Sequence, residues 1–231
     1  MAKVLFIVTG ADALTLADGS THPTGFWAEE LVTPYRVLVE NGHEVEFATP
    51  DGVAATVDAT SLTADANGGE DGAAAIADEL SSIEGLNNPL NIGDLNVDHY
   101  DAVFYPGGHG PMEDLASHGE SGNIIARALE TDKILAAVCH GPAAFLAVPS
   151  TDDVTPLAGR ELTGFSNQEE GLVGLGDKVQ WRLEDRLRKT GALFSRGSEW
   201  EANVVVDRNL ITGQNPGSTN AIAEELLKRL G

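Results

Sequence analysis

Four short apolar runs, each ending in turn or glycine-rich residues, constrain this chain more than any other feature. They are Lys3 to Thr9 (KVLFIVT), Glu44 to Pro50 (EVEFATP), Ala102 to Tyr105 (AVFY, entering PGGHGP) and Lys133 to Val138 (KILAAV, entering CHGPAA). The first, third and fourth are near-continuous and rich in branched or aromatic residues, which is how a strand covered on both faces of a parallel sheet reads. Helical spacing fills the gaps between them. Thr24 to Glu40 has apolar residues at helical intervals and stops before Asn41-Gly42, with Pro34 expected to kink it. Further helices are expected at Ala73 to Ser82, Asn123 to Thr131, from Pro142 to Val148, Gln180 to Thr190 and Ser218 to Leu230. Strands are also expected at GRELTGFS (159–166), NVVVD (203–207) and NLITGQ (209–214). Alternating strands and helices predict an α/β fold with a mostly parallel sheet and helices on both faces.

A chain of 231 residues with 42% apolar and 22% charged residues suits one domain, 1–231, able to bury a full core. Residues 51–96 are rich in Ala, Gly and Asp and read as a surface insertion. The 36 acidic residues outnumber 14 basic ones, for a net charge of −22. Such a surface repels phosphate backbones and anionic headgroups, so neither nucleic acid nor membrane is an expected partner. The acid excess also suits a salt-rich cytoplasm. MAKVLFIVTG has no cleavage-site pattern and reads as a strand, no run approaches membrane-spanning length, and one cysteine excludes an internal disulfide. A cytoplasmic location is expected.

Ligands of open α/β sheets sit beyond the carboxyl ends of the strands, and here three such ends are polar and glycine-rich: TGADAL, PGGHGP and CHGPAA. The last holds the only cysteine, Cys139, where a strand turns into a helix, the geometry of a nucleophile elbow. A helix N-terminus and the adjacent His140 would lower the thiol pKa and favour a thiolate at neutral pH. A lone cysteine ending a buried strand is otherwise a small hydrophobe. In TGFWAEELVTPY, Phe26, Trp27, Leu31 and Tyr35 make an apolar surround into which one of Glu29 and Glu30 must turn, since helix neighbours point about 100° apart. A carboxyl there would have a raised pKa. PGGHG offers backbone N–H groups without side-chain bulk, suited to an oxyanion hole. His22, His43, His99 and His118 show no metal-ligand spacing, and there is no Walker loop or dinucleotide fingerprint, so no metal and no cofactor is expected.

These motifs together, AAVCHGPAAF, YPGGHGPMEDL and TGFWAEELVTPY with LTGFSNQEEG and LITGQNPGS, resemble the ThiJ/PfpI superfamily over nearly the whole chain. Within it they resemble the glutathione-independent glyoxalases (glyoxalase III), a branch also described as chaperone-like and deglycase proteins. The resemblance implies a flavodoxin-like, class I glutamine amidotransferase-like three-layer sandwich. It implies Cys139 as nucleophile, His140 as its histidine, Glu30 as the buried glutamate, and Glu170, or its neighbour Glu169, as third acid. It further implies an oxyanion hole from Gly108 and the His140 amide, and a homodimer. His109 resembles a second family histidine that lines the pocket with Phe26 and Trp27, or is a loop hydrogen-bonder.

The expected reaction converts methylglyoxal and related 2-oxoaldehydes to 2-hydroxy acids such as D-lactate, with no cofactor. Rival readings are a ThiJ/PfpI-type cysteine peptidase, a protein deglycase, and a holdase chaperone or redox stress sensor acting through Cys139. Glutamine amidotransferases use a histidine far downstream of the cysteine, and His140 is the last histidine here.

Overall fold

The apolar runs all become sheet strands. The computed structural model describes residues 1–150 and 154–231. Its strands are β1 (Lys3–Ile7), β2 (Ala13–Thr15), β3 (Thr21–Pro23), β4 (Glu44–Thr49), β5 (Leu90–Asn91), β6 (Ala102–Tyr105), β7 (Ile134–Val138), β8 (Glu161–Leu162), β9 (Leu193–Phe194), β10 (Val204–Asp207) and β11 (Leu210–Gly213). Its helices are α1 (Ala28–Glu40), α2 (Glu70–Ser81), α3 (Gly110–Glu113), α4 (Gly119–Glu130), α5 (Asn167–Leu172), α6 (Leu183–Lys189) and α7 (Thr219–Leu230). The central sheet has the order β10-β11-β7-β6-β1-β4-β5. All its pairs are parallel except the β10–β11 hairpin. This is the expected mostly parallel, flavodoxin-like and glutamine amidotransferase-like architecture.

Val4 to Ile7, Ala102 to Tyr105 and Leu135 to Val138 are wholly buried, because both sheet faces are covered and neither set of alternating side chains meets water. Phe6 anchors the centre, tilted against Phe104 at 4.8 Å and edge-on to Phe47 at 5.6 Å between ring centroids. The chain adds β4 on one side of β1 and later β6 on the other. That reversal opens a crevice beyond the carboxyl ends of β1 and β6, with β7 next in line.

Three expectations need correcting. The 159–166 run is a strand only at Glu161–Leu162, which pairs with β9 in a separate two-stranded sheet. The rest of it is diverted to the thiol, where the Phe165 N–H donates to the Cys139 carbonyl at 2.8 Å. The segment after Cys139 is a 3₁₀ helix (Gly141–Ala147) rather than an α-helix. Residues 51–96 are also more than a surface insertion. They supply β5 to the sheet edge, bury Ile83, Leu86 and Ile92, and hold the entry to α1.

That last role bears on function. Helix α1 begins at Ala28 rather than Thr24, because Gly25 to Trp27 run extended between two backbones. The Phe26 N–H donates to Thr56 O at 2.9 Å, and the Trp27 N–H donates to Gly107 O at 3.0 Å. Trp27, the N-cap residue, provides no side-chain cap, so the Ser61 hydroxyl takes the Ala28 N–H at 3.0 Å. Helix α1 runs unbroken through buried Pro34, whose missing N–H leaves the Glu30 carbonyl without its usual i+4 donor.

Candidate active site

Cys139 follows directly on β7 in a left-handed backbone conformation, φ 58°. A non-glycine residue there costs about 1–3 kcal/mol and persists only when its surroundings hold it. Here the Cys139 N–H donates to Gly213 O at 2.9 Å and its carbonyl is held by Phe165. The elbow buries the side chain, which is 4% exposed.

The PGGHG loop closes over it. A Cβ on Gly107 would stand 2.6 Å from Glu30 Oε2, 2.7 Å from Cys139 Cβ and 2.8 Å from the His140 nitrogen, so only glycine lets these groups meet. Gly108 has φ 87°, and a Cβ there would run into the main chain of Gly25 to Trp27. Gly108→Ala is therefore expected to destabilise the fold by about 1–3 kcal/mol, read as a lowered urea midpoint. An unchanged midpoint would show that the loop has slack. The Gly108 and His140 amides lie against the Cys139 sulfur and act to lower its pKa, which is the geometry asked of an oxyanion hole.

Of the two adjacent acids, Glu30 turns inward. It is fully buried, its Oε2 accepts the Gly107 N–H at 3.0 Å, and its Oε1 has no hydrogen-bond partner among the described residues. Burial raises its pKa to about 8, against the opposing pull of Cys139 and the Gly107 N–H. At neutral pH it holds its proton. Glu29 is only half-buried.

On the other side of the sulfur, His140 Nδ1 lies 3.4 Å from Sγ, and its Nε2 lies 2.8 Å from Glu170 Oε2. Burial works to raise the Glu170 pKa, but the two imidazoles beside the carboxyl hold it well below the usual carboxylate range. It is an anion and so an acceptor, which assigns the His140 proton to Nε2 and leaves Nδ1 bare toward the thiol. Burial, with His109 next to it, lowers the His140 pKa to about 4 against the pull of Glu170. At neutral pH His140 is uncharged, with Nδ1 toward the thiol.

The surroundings of the thiol work against the expected resting thiolate. Burial pushes the Cys139 thiol up, the nearby Glu30 carboxyl adds to this when ionised, and His140 carries no positive charge to oppose it.

Glu170, not Glu169, reaches His140. Glu169 instead closes a capping box with Ser166 at the start of α5 and accepts from the Trp200 N–H, Gln214 and Asn215. The S-x-x-E spacing of Ser166 to Glu169 was the available sequence signal that this acid is committed to the helix start.

His109 is placed as no spacing rule foretells. Its Nε2 lies 2.8 Å from Glu170 Oε1, so one carboxylate carries two imidazoles whose ring centroids are 4.0 Å apart. Phe165 covers His140 at 4.4 Å and leads to half-exposed Trp200 at 5.8 Å. Sequence reasoning passed over both aromatics and Gly107. Phe26 and Trp27 meet the site through their main chain, while Phe26 also lines a separate cavity of about 260 Å³ with Val57, Leu80 and Leu86. His109, His140 and Glu170 bring their ligand atoms within 4.8 Å of one another, a metal-capable set that the expectation of no metal site did not foresee.

The chain resembles known proteins over its full length. Glyoxalase 3 of Candida albicans is 28% identical over 235 aligned residues, covering 98% of each chain. The crystal structure of glyoxalase III from the same organism superposes with a TM-score of 0.83 at 27% identity, covering 98% of this chain and 96% of that one. The 24 kDa Rapid Encystment Protein of Francisella tularensis superposes with a TM-score of 0.88 at 30% identity, over 100% of both chains. A protein/nucleic acid deglycase, HchA, of Staphylococcus aureus is 27% identical over 96% of this chain and 77% of that protein. Among the described residues, no helix is long and apolar enough to cross a membrane. The sequence profile of the DJ-1/PfpI family matches residues 22–229, and the chain belongs to that family.

Proposed function

We propose that the protein is a cofactor-independent glyoxalase that converts small 2-oxoaldehydes such as methylglyoxal to 2-hydroxy acids. The observation that carries this reading is Glu30, a buried carboxyl of pKa about 8 beside a nucleophile that already has its own base in His140. Thiol attack alone needs no second proton carrier. Moving a hydrogen between two adjacent carbons does.

The geometry supports the following steps. His140 Nδ1 takes the thiol proton as sulfur adds to the aldehyde carbon, and returns it to the new oxygen, which the Gly108 and His140 amides stabilise as it gains charge. Ionised Glu30, a stronger base than an ordinary carboxylate because of its raised pKa, then removes the hydrogen from the hemithioacetal carbon. Loss of that proton leaves an enediolate, whose remaining hydroxyl proton passes from the first oxygen to the second, and Glu30 returns its proton to the neighbouring carbon to give the 2-hydroxy thioester. Water, deprotonated by His140, cleaves the thioester and restores the thiol. The sum is oxoaldehyde plus water to 2-hydroxy acid, with no oxidant or reductant.

The closed site supports a small substrate: Cys139 is 4% exposed and His140 1%. This weighs against a peptidase, whose substrate must present a polypeptide backbone to the sulfur. The staphylococcal deglycase likeness supports release of small aldehyde adducts from amines as a second outlet of the same chemistry.

The test is methylglyoxal turnover in D₂O without glutathione, followed by proton NMR. The expected product is lactate carrying solvent deuterium at C2 in part of the molecules, from turnovers in which the proton on Glu30 exchanges before it is returned. Deuterium at C2 excludes a direct hydride shift, and no lactate from folded protein would remove the glyoxalase reading.

A further inference from the structure

We propose that His109, His140 and Glu170 form a binding site for a zinc-class divalent ion, and that metal binding there switches the thiol chemistry off. Two imidazole Nε2 atoms converge on the two oxygens of one carboxylate, each at 2.8 Å, and all their ligand atoms lie within 4.8 Å of one another. A single dication can take the place of the two shared protons.

Donor chemistry selects the ion. Two imidazoles and one carboxylate suit zinc, copper or nickel, whereas calcium and magnesium favour all-oxygen sets. Metal–nitrogen bonds of about 2.0–2.1 Å around a four-coordinate ion require donors about 3.3 Å apart, so the rings must draw together by a fraction of their present spacing. His109 can make that movement: it belongs to the loop between β6 and α3, and its side chain is 13% exposed, against 1% for His140 and 2% for Glu170. It is also the side from which an ion can enter.

The proton balance shows why the ion inhibits. With Nε2 of each ring on the metal, each neutral imidazole carries its hydrogen on Nδ1 instead. On His109 that hydrogen sits on the more exposed of the two rings. On His140 it points at Cys139 Sγ, where the active site needs a bare nitrogen to accept the thiol proton. No proton need be lost, yet the base is gone. The carboxylate that orients His140 is occupied at the same time.

Zinc binding does not depend on the glyoxalase reading, so it is measured directly. Zn²⁺ is titrated against the full chain at neutral pH by calorimetry and by competition with a zinc-binding dye, with Co²⁺ absorption as a spectroscopic check. The expected result is one tight site per chain in the wild type, kept in Cys139→Ala. In His109→Gln, which retains a donor for Glu170 and so the local fold, affinity is expected to fall by more than about 100-fold, beyond the 10–100-fold typical of outer-shell changes. Where turnover is seen, it should fall in step with zinc occupancy and return with EDTA. Saturation only at millimolar zinc, or binding unchanged in His109→Gln, would overturn the site and assign the ion to the acidic surface. Loss of binding in Cys139→Ala alone would assign it to the thiol.

Discussion

Cys139→Ala is expected to lower 2-hydroxy acid formation by at least about 10⁴-fold, the scale seen when a covalent nucleophile is removed from an enzyme. Every later step of the proposed reaction depends on the carbon–sulfur bond, because sulfur makes the adjacent hydrogen acidic and holds the acyl group for hydrolysis. Ala is also the milder change for the fold. It fits the same elbow and removes a thiol whose burial holds its pKa up. The measurement is lactate release from methylglyoxal beside a urea midpoint. Full activity in folded Cys139→Ala would leave only a non-covalent hydration and end the mechanism described above. A holdase role would survive the substitution, so client aggregation assayed on the same variant separates the two classes.

Glu30→Gln is expected to act in two directions. Activity should fall by several orders of magnitude, because an amide cannot carry a proton between carbons. In the wild type, kcat/KM should rise about tenfold per pH unit up to about pH 8 and then level, as Glu30 ionises. His140, with its pKa at about 4, stays neutral across that range and adds no inflection.

Stability should move the other way. An unfolded glutamate titrates near its model value of 4.5, and the folded one at about 8. Between those values the unfolded chain has released its proton while the folded chain keeps it. Wild-type stability then falls by about 1.4 kcal/mol per pH unit from this group alone. The penalty is absent below pH 4.5 and complete above pH 8. Glu30→Gln cannot ionise and escapes it, so its stability relative to wild type should increase by about 3 kcal/mol between pH 5 and pH 7. Urea unfolding of both proteins across that interval decides the matter. Parallel stability profiles would falsify the raised pKa, whatever the activity shows.

The strands were legible because β1, β6 and β7 are buried on both faces, and such burial writes an unbroken apolar run into the chain. The 159–166 run was misread for a related reason. Leu162 and Phe165 are as buried as strand residues, but Phe165 is buried against His140 rather than within the central sheet. Apolar content reports burial and is silent about what covers the residue. The low-complexity look of 51–96 concealed Ser61 and Asp58, both buried. The Asp58 carboxylate takes the Thr24 hydroxyl at 2.9 Å and Ser61 caps α1, so this segment places the helix that carries Glu30.

By itself the sequence determined the α/β class, the strand that delivers Cys139 and the glycine loop facing it, because periodicity and glycine placement are local properties of the chain. The tertiary structure decided the chemistry of these groups. Glu30 and Glu29 are neighbours of one residue type, and only complete burial, acting against the pull of Cys139 and the Gly107 N–H, leaves Glu30 protonated at neutral pH. Glu169 and Glu170 differ only in the direction the first turn of α5 gives them. His109 and Glu170 are 61 residues apart, and His140 and Glu170 are 30 apart. Solvent exclusion and through-space hydrogen bonds set protonation and tautomer, and these exist only after distant strand ends have been brought to one crevice.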